Sequence, residues 1–198
     1  MLELQNLATV LSGVTIKEDA DGRARFMRLS DLSDLKAGRI PILARGVIPE
    51  VARALSIESG DLIVAARGSA TDVCIANESV FGAFVSLDLY LVRPNGAKVD
   101  PQYLFAFLTL PATQALFATG KQGSALARLP KEGLAKIKVP LPPMQTQRMI
   151  ADLAFSFEEE GKILKKLSDL NLILRSEVVA RAISAADVTN HKRSNKRS

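Results

Sequence analysis

With 198 residues, 47% apolar and 24% charged, the chain is sized for one average domain plus an appendage, and it is too apolar for wholesale disorder. No run of 18 apolar residues without a charge occurs, no secretory leader pattern is visible, and a single cysteine (Cys74) and single histidine (His191) exclude an internal disulfide and a Cys/His metal cage, so a cytoplasmic protein without a bound metal is expected. The net charge of +5 is unevenly spread, +2 over residues 1–143, −1 over 144–188 and +4 over 189–198, so most of the excess falls in a polar end expected to be disordered, and overall basicity is a weak sign of DNA binding.

Local charge and patterning say more. Leu4, Leu7 and Leu11 have helical spacing, which predicts a first helix over Leu2–Leu11 stopped by Gly13. From Arg23 to Arg53 there are seven basic residues against three acids, and Arg23, Arg25 and Arg28 lie around a short predicted strand, Arg23 and Arg25 on one side by alternation. Asp61–Ala66 follows a Ser59-Gly60 turn and reads as a buried strand, leading into the loop Arg67-Gly68-Ser69. A loop arginine beside a glycine can approach a phosphate or offer its fork to the two acceptors on a guanine edge. Cys74 sits among Val73, Ile75 and Ala76 and reads as a buried packing residue. Val80–Val92 is a strand-like apolar run ended by Pro94-Asn95-Gly96.

Two helices follow, Pro101–Leu110 and Ala112–Thr119, the second closed by Gly120. Beyond them, Lys121-Gln122-Gly123-Ser124 is a polar loop with a cation, an amide and a hydroxyl, and Arg128 comes soon after. Glutamine can pair with adenine, and lysine with guanine or phosphate. Between Lys121 and Lys138 there are five basic residues against the single acid Glu132, so two segments distant in sequence could build one positive surface. Each of these basic segments can equally be a solvated turn or strand face. Leu134–Pro140 returns to a strand pattern, Ile137 and Val139 on one face and Lys136 and Lys138 on the other, until Pro140 removes a ladder donor.

After Pro143 no proline recurs, and Gln145 to about Ile183 reads as one helix of about 39 residues, roughly 58 Å long. With Ile150 at heptad position a, the a positions are Ile150, Phe157, Leu164, Asn171 and Val178, and the d positions are Leu153, Glu160, Leu167, Leu174 and Arg181. This seam is apolar enough to pair with another helix, with Met149, Ile163 and Leu170 beside it. Asn171 would cost stability but set register, and Glu160-Gly161 would loosen the seam. The expected class is α+β: a mixed, strand-rich domain over 1–143, a long coiled-coil helix over 144–183, and a disordered basic tail over 184–198.

The search for catalytic chemistry fails at each step. There is no Gly-Lys-Ser/Thr phosphate loop and no G-x-G-x-x-G. A Ser-His-Asp triad lacks a base, and Cys74 lacks a histidine to activate it. Glu160-Gly161-Lys162 and Asp152 have a nuclease-like spelling but fall on the long helix, where no strand presents them. Pro142-Pro143 is flanked by Leu141 and Met144 and lacks the Asn/Asp and aromatic neighbours of an amino-methyltransferase loop. A binding protein is expected, with no catalytic residue.

At Pro140-Leu141-Pro142-Pro143-Met144-Gln145-Thr146-Gln147-Arg148-Met149-Ile150 the chain resembles the joint between a target recognition domain and its spacer helix in the DNA-specificity subunits of type I restriction–modification systems. That joint runs apolar-Pro-Leu-Pro-Pro-Leu/Met, two residues, Gln, two residues, Ile. Leu7–Gly13, Gly60–Gly68, Asp100–Leu108 and Gly123–Pro130 resemble further pieces of the family in the right order, so the resemblance spans about residues 2–183. It departs from the family in having Thr146 where glutamate is common, and in carrying one recognition domain and one helix where two of each are usual.

The resemblance implies a recognition domain that reads half of a bipartite double-stranded DNA target and a helix that spaces the halves and docks the methyltransferase subunit. S-adenosylmethionine is expected on that partner, and a restriction/motor subunit is a possible further one. It points to Arg67, Ser69, Lys121, Gln122, Ser124 and Arg128, then Arg23, Arg25 and Arg28, as DNA contacts. Ile150, Leu153, Phe157, Leu164, Leu167, Asn171, Leu174 and Val178 are expected to pair two copies antiparallel. The alternatives are a coiled-coil assembly scaffold that reads no DNA, a truncated inactive fragment, and an enzyme with an unfamiliar site.

Overall fold

A computed structural model of the chain describes residues 1–48, 54–68, 71–121 and 127–194, with side chains through Ser184. In chain order the elements are β1 (Leu2–Glu3), a 3-10 turn (Leu4–Asn6), β2 (Ala8–Ser12), β3 (Lys17–Glu18), β4 (Ala24–Met27), a second 3-10 turn (Leu29–Asp31), α1 (Leu32–Lys36), β5 (Ala44–Val47), β6 (Leu62–Ala65), β7 (Val73–Ile75), β8 (Phe84–Val85), β9 (Leu89–Pro94), α2 (Pro101–Thr109), α3 (Pro111–Gly120), α4 (Lys131–Ala135), β10 (Lys138–Val139) and α5 (Met144–Ser194). They fall into two units, Met1–Asp152 and Leu153–Ser198.

The first unit is organised by an antiparallel sheet in the order β2-β9-β6-β7. All four residues of β6 are buried, and its side chains divide by the two-residue period of a strand. Leu62 and Val64 join Tyr90 and Val92 in one apolar cluster, with Leu104, Leu108 and Phe117 from α2 and α3 and Leu134 from α4. Ile63 and Ala65 join Leu89 and Leu91 in another, with Met27, Leu32 and Leu35 from β4 and α1 and Val85 from β8. Both faces of the sheet are therefore covered, which is why this segment reads as a continuous apolar run rather than an alternating one. Cys74 lies buried in β7, paired with Ile63.

A second sheet, ordered β3-β5-β4-β8, is antiparallel except for β4 with β8. Its tight corner is made by Gly22 and Gly46: a Cβ on Gly22 would come within 2.5 Å of the Gly46 backbone. The helical pair appears where predicted. Pro101 starts α2, whose N-cap Asp100 accepts the N–H groups of Gln102 and Tyr103 at 2.9 and 3.0 Å.

Three sequence expectations are corrected. Leu2–Leu11 is not a helix but β1, a 3-10 turn and β2. Ala8 and Val10 are buried and Thr9 is exposed, a two-residue period, and β2 pairs along its whole length with β9. Gly13 does not stop a helix. Its N–H donates to the Leu89 carbonyl at 3.0 Å, and a Cβ there would lie 1.9 Å from the Ser86 carbonyl oxygen. The strand expected over Leu134–Pro140 is only Lys138–Val139, because Lys131–Ala135 forms α4; the alternation itself holds, Ile137 and Val139 buried, Lys136 and Lys138 exposed. The run Val80–Val92 is likewise two strands, β8 and β9, with turns before and between them.

Helix α5 spans 51 residues, runs without interruption through Gly161, and continues past the expected end at Ile183 to Ser194. Its first turns belong to the first unit, where Gln147 and Ala151 are buried. Among the described residues no single helix is long and apolar enough to cross a membrane.

Candidate functional site

Three of the basic residues singled out in the sequence, Arg67, Lys121 and Arg128, are brought together at the end of β6. The chain leaves β6 through Ala66 and Arg67, and the segment around Arg128 is stitched alongside it. The Leu129 N–H donates to the Ala66 carbonyl at 2.8 Å, and Arg67 and Arg128 form an isolated antiparallel bridge. From β9, the buried Tyr90 hydroxyl donates to the Leu129 carbonyl at 2.6 Å, and its ring lies 5.6 Å beneath the Arg128 guanidinium. Two segments some sixty residues apart in sequence thus share one edge.

Asp88 closes this cluster from the turn between β8 and β9. Its carboxylate is 2.8 Å from Arg67 Nε and 3.8 Å from Arg128 Nη1. The Arg67 Nε is buried and its N–H makes no directed hydrogen bond, so the contact with Asp88 is an ion pair. Arg128 also donates through Nη2 to the Leu87 carbonyl at 3.0 Å. Lys121, just past α3, donates through Nζ to the Gly68 carbonyl at 2.6 Å. Partial burial lowers its ammonium below the usual lysine range, and Asp72 pulls it back upward. Lys36, at the end of α1, is ion-paired with that same Asp72. Arginines and lysines around two carboxylates make an electropositive, half-exposed surface whose forks are oriented by backbone carbonyls. Such a surface can hold phosphate oxygens or base-edge acceptors.

The β4 arginines belong to the second sheet and are linked to this edge through the same turn. Ser86 N–H donates to the Met27 carbonyl at 3.0 Å, one residue before Arg28. Arg28 is ion-paired with Glu18 (3.6 Å) and Asp31 (3.9 Å), Arg25 donates to the Phe81 carbonyl at 2.6 Å, and Arg23 is exposed just ahead of the strand. Ser69, Gln122 and Ser124 lie outside the described residues. Sequence reasoning missed Asp88, Asp72 and Tyr90. Nothing in their spacing marks them, because their roles come from strand pairing that brings β9 beside β6.

The joint to α5 is a hydrogen-bonded lock. Gln147, 1% exposed, accepts the Asp100 N–H at 2.9 Å and donates to the carbonyls of Pro142 at 2.9 Å and Lys98 at 3.4 Å. The Tyr103 hydroxyl donates to the Pro140 carbonyl at 2.7 Å. The Pro-Leu-Pro-Pro run leaves carbonyls without matching amide donors, and side chains supply the donors.

From Ile150 onward the apolar side chains of the expected seam are exposed, as are the off-seam Phe155, Leu172, Ile173 and Val179. Ile150, Leu153, Phe157, Leu164, Leu167, Leu174 and Val178 are 40 to 63% exposed, and Asn171 is exposed with them. So large a row of exposed apolar side chains marks an interaction surface. Among the described residues no cluster of three or more His, Cys, Asp or Glu could hold a metal ion.

Comparison with known proteins bears on the family and the fold. The model of the family described as "Type I restriction modification DNA specificity domain" matches residues 22–171. A curated protein of Methanocaldococcus jannaschii, "Putative type I restriction enzyme MjaX specificity subunit", is 29% identical over 121 residues, which are 61% of this chain and 25% of that protein. Among solved structures, the HsdS subunit from Thermoanaerobacter tengcongensis aligns over 83% of this chain and 38% of its own at a TM-score of 0.61 and 18% identity. A chain from a study of complex assembly and conformational transition in a type I R-M system aligns over 83% of this chain and 39% of its own, TM-score 0.62 and 18% identity. The S subunit of a type I restriction–modification system from M. genitalium aligns over 88% and 43%, TM-score 0.56 and 14% identity. The chain spans a quarter of its curated relative and about two fifths of each solved subunit.

Proposed function

This chain belongs to the type I restriction–modification DNA specificity family, and from that premise we propose that it reads one half of a bipartite DNA target through the edge formed by Arg67, Arg128 and Lys121. Specificity subunits recognise DNA and leave catalysis to their partners, so the chain is a non-catalytic component. The observation that carries the DNA-reading proposal is the Arg67–Arg128 bridge, which joins two basic segments separated in sequence on one edge. Arg23, Arg25 and Arg28 supply backbone contacts nearby, linked to that edge through Ser86. Ser69, Gln122 and Ser124 are proposed as further contacts from sequence alone.

The exposed seam of α5 supports the second half of the reading. Two copies pair antiparallel through Ile150, Leu153, Phe157, Leu164, Leu167, Asn171, Leu174 and Val178, and the pair reads two identical half-sites in inverted order. The assembled helices dock a methyltransferase subunit, the carrier of S-adenosylmethionine, with a restriction/motor subunit as a further partner, all in the cytoplasm.

The deciding experiment is a salt titration of binding to a duplex selected from a randomised pool. Each lost phosphate contact removes about one unit of slope in log K against log salt, so an Arg67→Ala/Arg128→Ala double variant should flatten the slope by about two. An unchanged slope and affinity would move DNA reading elsewhere on the chain. Co-purification with the methyltransferase subunit, with light scattering to count copies, tests the assembly; one copy per complex would overturn the homodimer.

A further inference from the structure

From the polar interruptions of the α5 seam we infer its pairing register: Glu160 of one chain meets Asn171 of a second copy, with the two-fold axis between Lys165 and Lys166. This deepens the homodimer reading and rests on it. The seam carries three residues that an apolar layer would reject, Glu160, Asn171 and Arg181, and any pairing must place them. Glu158 and Glu159 share Lys162 at 3.5 and 2.7 Å, whereas Glu160 has no ion-pair partner among the described residues. Among the described residues Arg181 is ion-paired only with Glu177, at 4.0 Å. Glu160 and Asn171 are both exposed.

A parallel, in-register pair is disfavoured at once. It sets a against a and d against d, so Glu160 would face Glu160 and Arg181 would face Arg181 inside the seam. Running one helix backward sets a against d, and the choice reduces to sliding by whole heptads. Sliding so that Leu164 faces Leu174 puts Glu160 on Val178, Asn171 on Leu167 and Arg181 on Phe157. Sliding the other way puts Glu160 on Leu164 and Asn171 on Leu153. In between lies one register in which like meets like. There Leu153 faces Val178, Phe157 faces Leu174 and Leu164 faces Leu167, each twice by symmetry. Glu160 then faces Asn171, whose amide donates to the carboxylate, while Arg181 falls at the outer end against Ile150 and reaches water. In that register Glu160 and Asn171 no longer defeat the seam; they reject its neighbouring registers.

The test uses the full-length chain and reads the dimer dissociation constant by sedimentation equilibrium. Asn171→Glu should weaken the dimer by roughly ten-fold or more, because two carboxylates then meet at each of two layers. Adding Glu160→Lys should restore it to near the parent value. The neighbouring antiparallel registers and the parallel pair both predict that the double variant is no better than the single. As a second measurement, Leu153→Cys/Val178→Cys in a Cys74→Ala background should form a disulfide-linked dimer under mild oxidation. A parent chain that stays monomeric at micromolar concentration overturns the homodimer itself. A parent dimer with neither rescue nor cross-link leaves the homodimer standing and overturns the register.

Discussion

Arg67 and Asp88 are held face to face by their own strands: the guanidinium Nε lies 2.8 Å from Asp88 Oδ1, and one residue back the Ala66 N–H donates to the Asp88 carbonyl at 2.8 Å. Both side chains are more than a third exposed, so the pair is screened and contributes little stability. Its consequence is orientation: under the proposed DNA reading, the arginine is aimed before DNA arrives. Arg67→Ala should therefore lower affinity for the selected duplex by about 1–3 kcal/mol with little change in melting. Fluorescence anisotropy against selected and scrambled duplexes checks this, and equal binding by parent and variant would remove Arg67 from the interface.

Asp88→Asn should behave differently from Arg67→Ala. It removes a charge that repels phosphate and frees both Arg67 and Arg128 from their shared anchor. Affinity for scrambled DNA should rise by several-fold at low salt, and the ratio of selected to scrambled binding should fall. The two effects separate in one anisotropy series; a variant whose ratio rises would show that Asp88 orients nothing.

Gly13 links packing to this edge. A Cβ there would collide with the Ser86 carbonyl at 1.9 Å, and backbone cannot swing aside as a side chain can. Gly13→Ala should destabilise the recognition unit by about 2 kcal/mol or more and displace the turn that carries Asp88. Urea unfolding measures the first effect. Weakened DNA binding at temperatures where the variant is still folded measures the second.

Gln147 tests the joint. Replacing it with alanine leaves the Asp100 N–H unsatisfied in a site that is 1% exposed, together with the Pro142 carbonyl. A loss of about 2–3 kcal/mol is expected in unfolding of the recognition unit. Gln147→Glu keeps an acceptor for Asp100 N–H but removes the amide donor and buries a charge. Its loss should exceed that of alanine at pH 7 and shrink as the pH falls and the carboxyl takes up a proton. A loss that does not depend on pH would mean the site opens to water.

Much of this architecture is legible in the residues, and what is not fails for identifiable reasons. Leu62–Ala65 announces a strand buried on both faces because no polar residue interrupts it, and α2 and α3 announce themselves through Pro101 and Gly120. Leu4, Leu7 and Leu11 mislead because the 3-10 turn at Leu4–Asn6 places two strands close enough in sequence to mimic a helical period. The basic segments are visible as charge, yet their union is not, since it depends on Leu129 pairing with Ala66 and on Tyr90 holding it there. Asp88 is one aspartate among many until β9 sets it beside Arg67.

Leu164 offers the cleanest separation of assembly from folding. In the single chain its side chain is 58% exposed, so an aspartate there buries nothing and costs only the small helix-propensity difference. In the paired helices the same aspartate would sit against Leu167 at the two layers nearest the axis, an uncompensated charge twice over. Leu164→Asp should weaken dimerisation by more than about a hundred-fold, while unfolding of residues 1–152 stays within about 0.5 kcal/mol of the parent. Light scattering and urea unfolding on the same preparation give both numbers. If, as proposed, a dimer reads two half-sites, the monomer should keep its affinity for an isolated half-site and lose the gain from the inverted repeat. A Leu164→Asp variant that remains dimeric would place the contact on another face of α5.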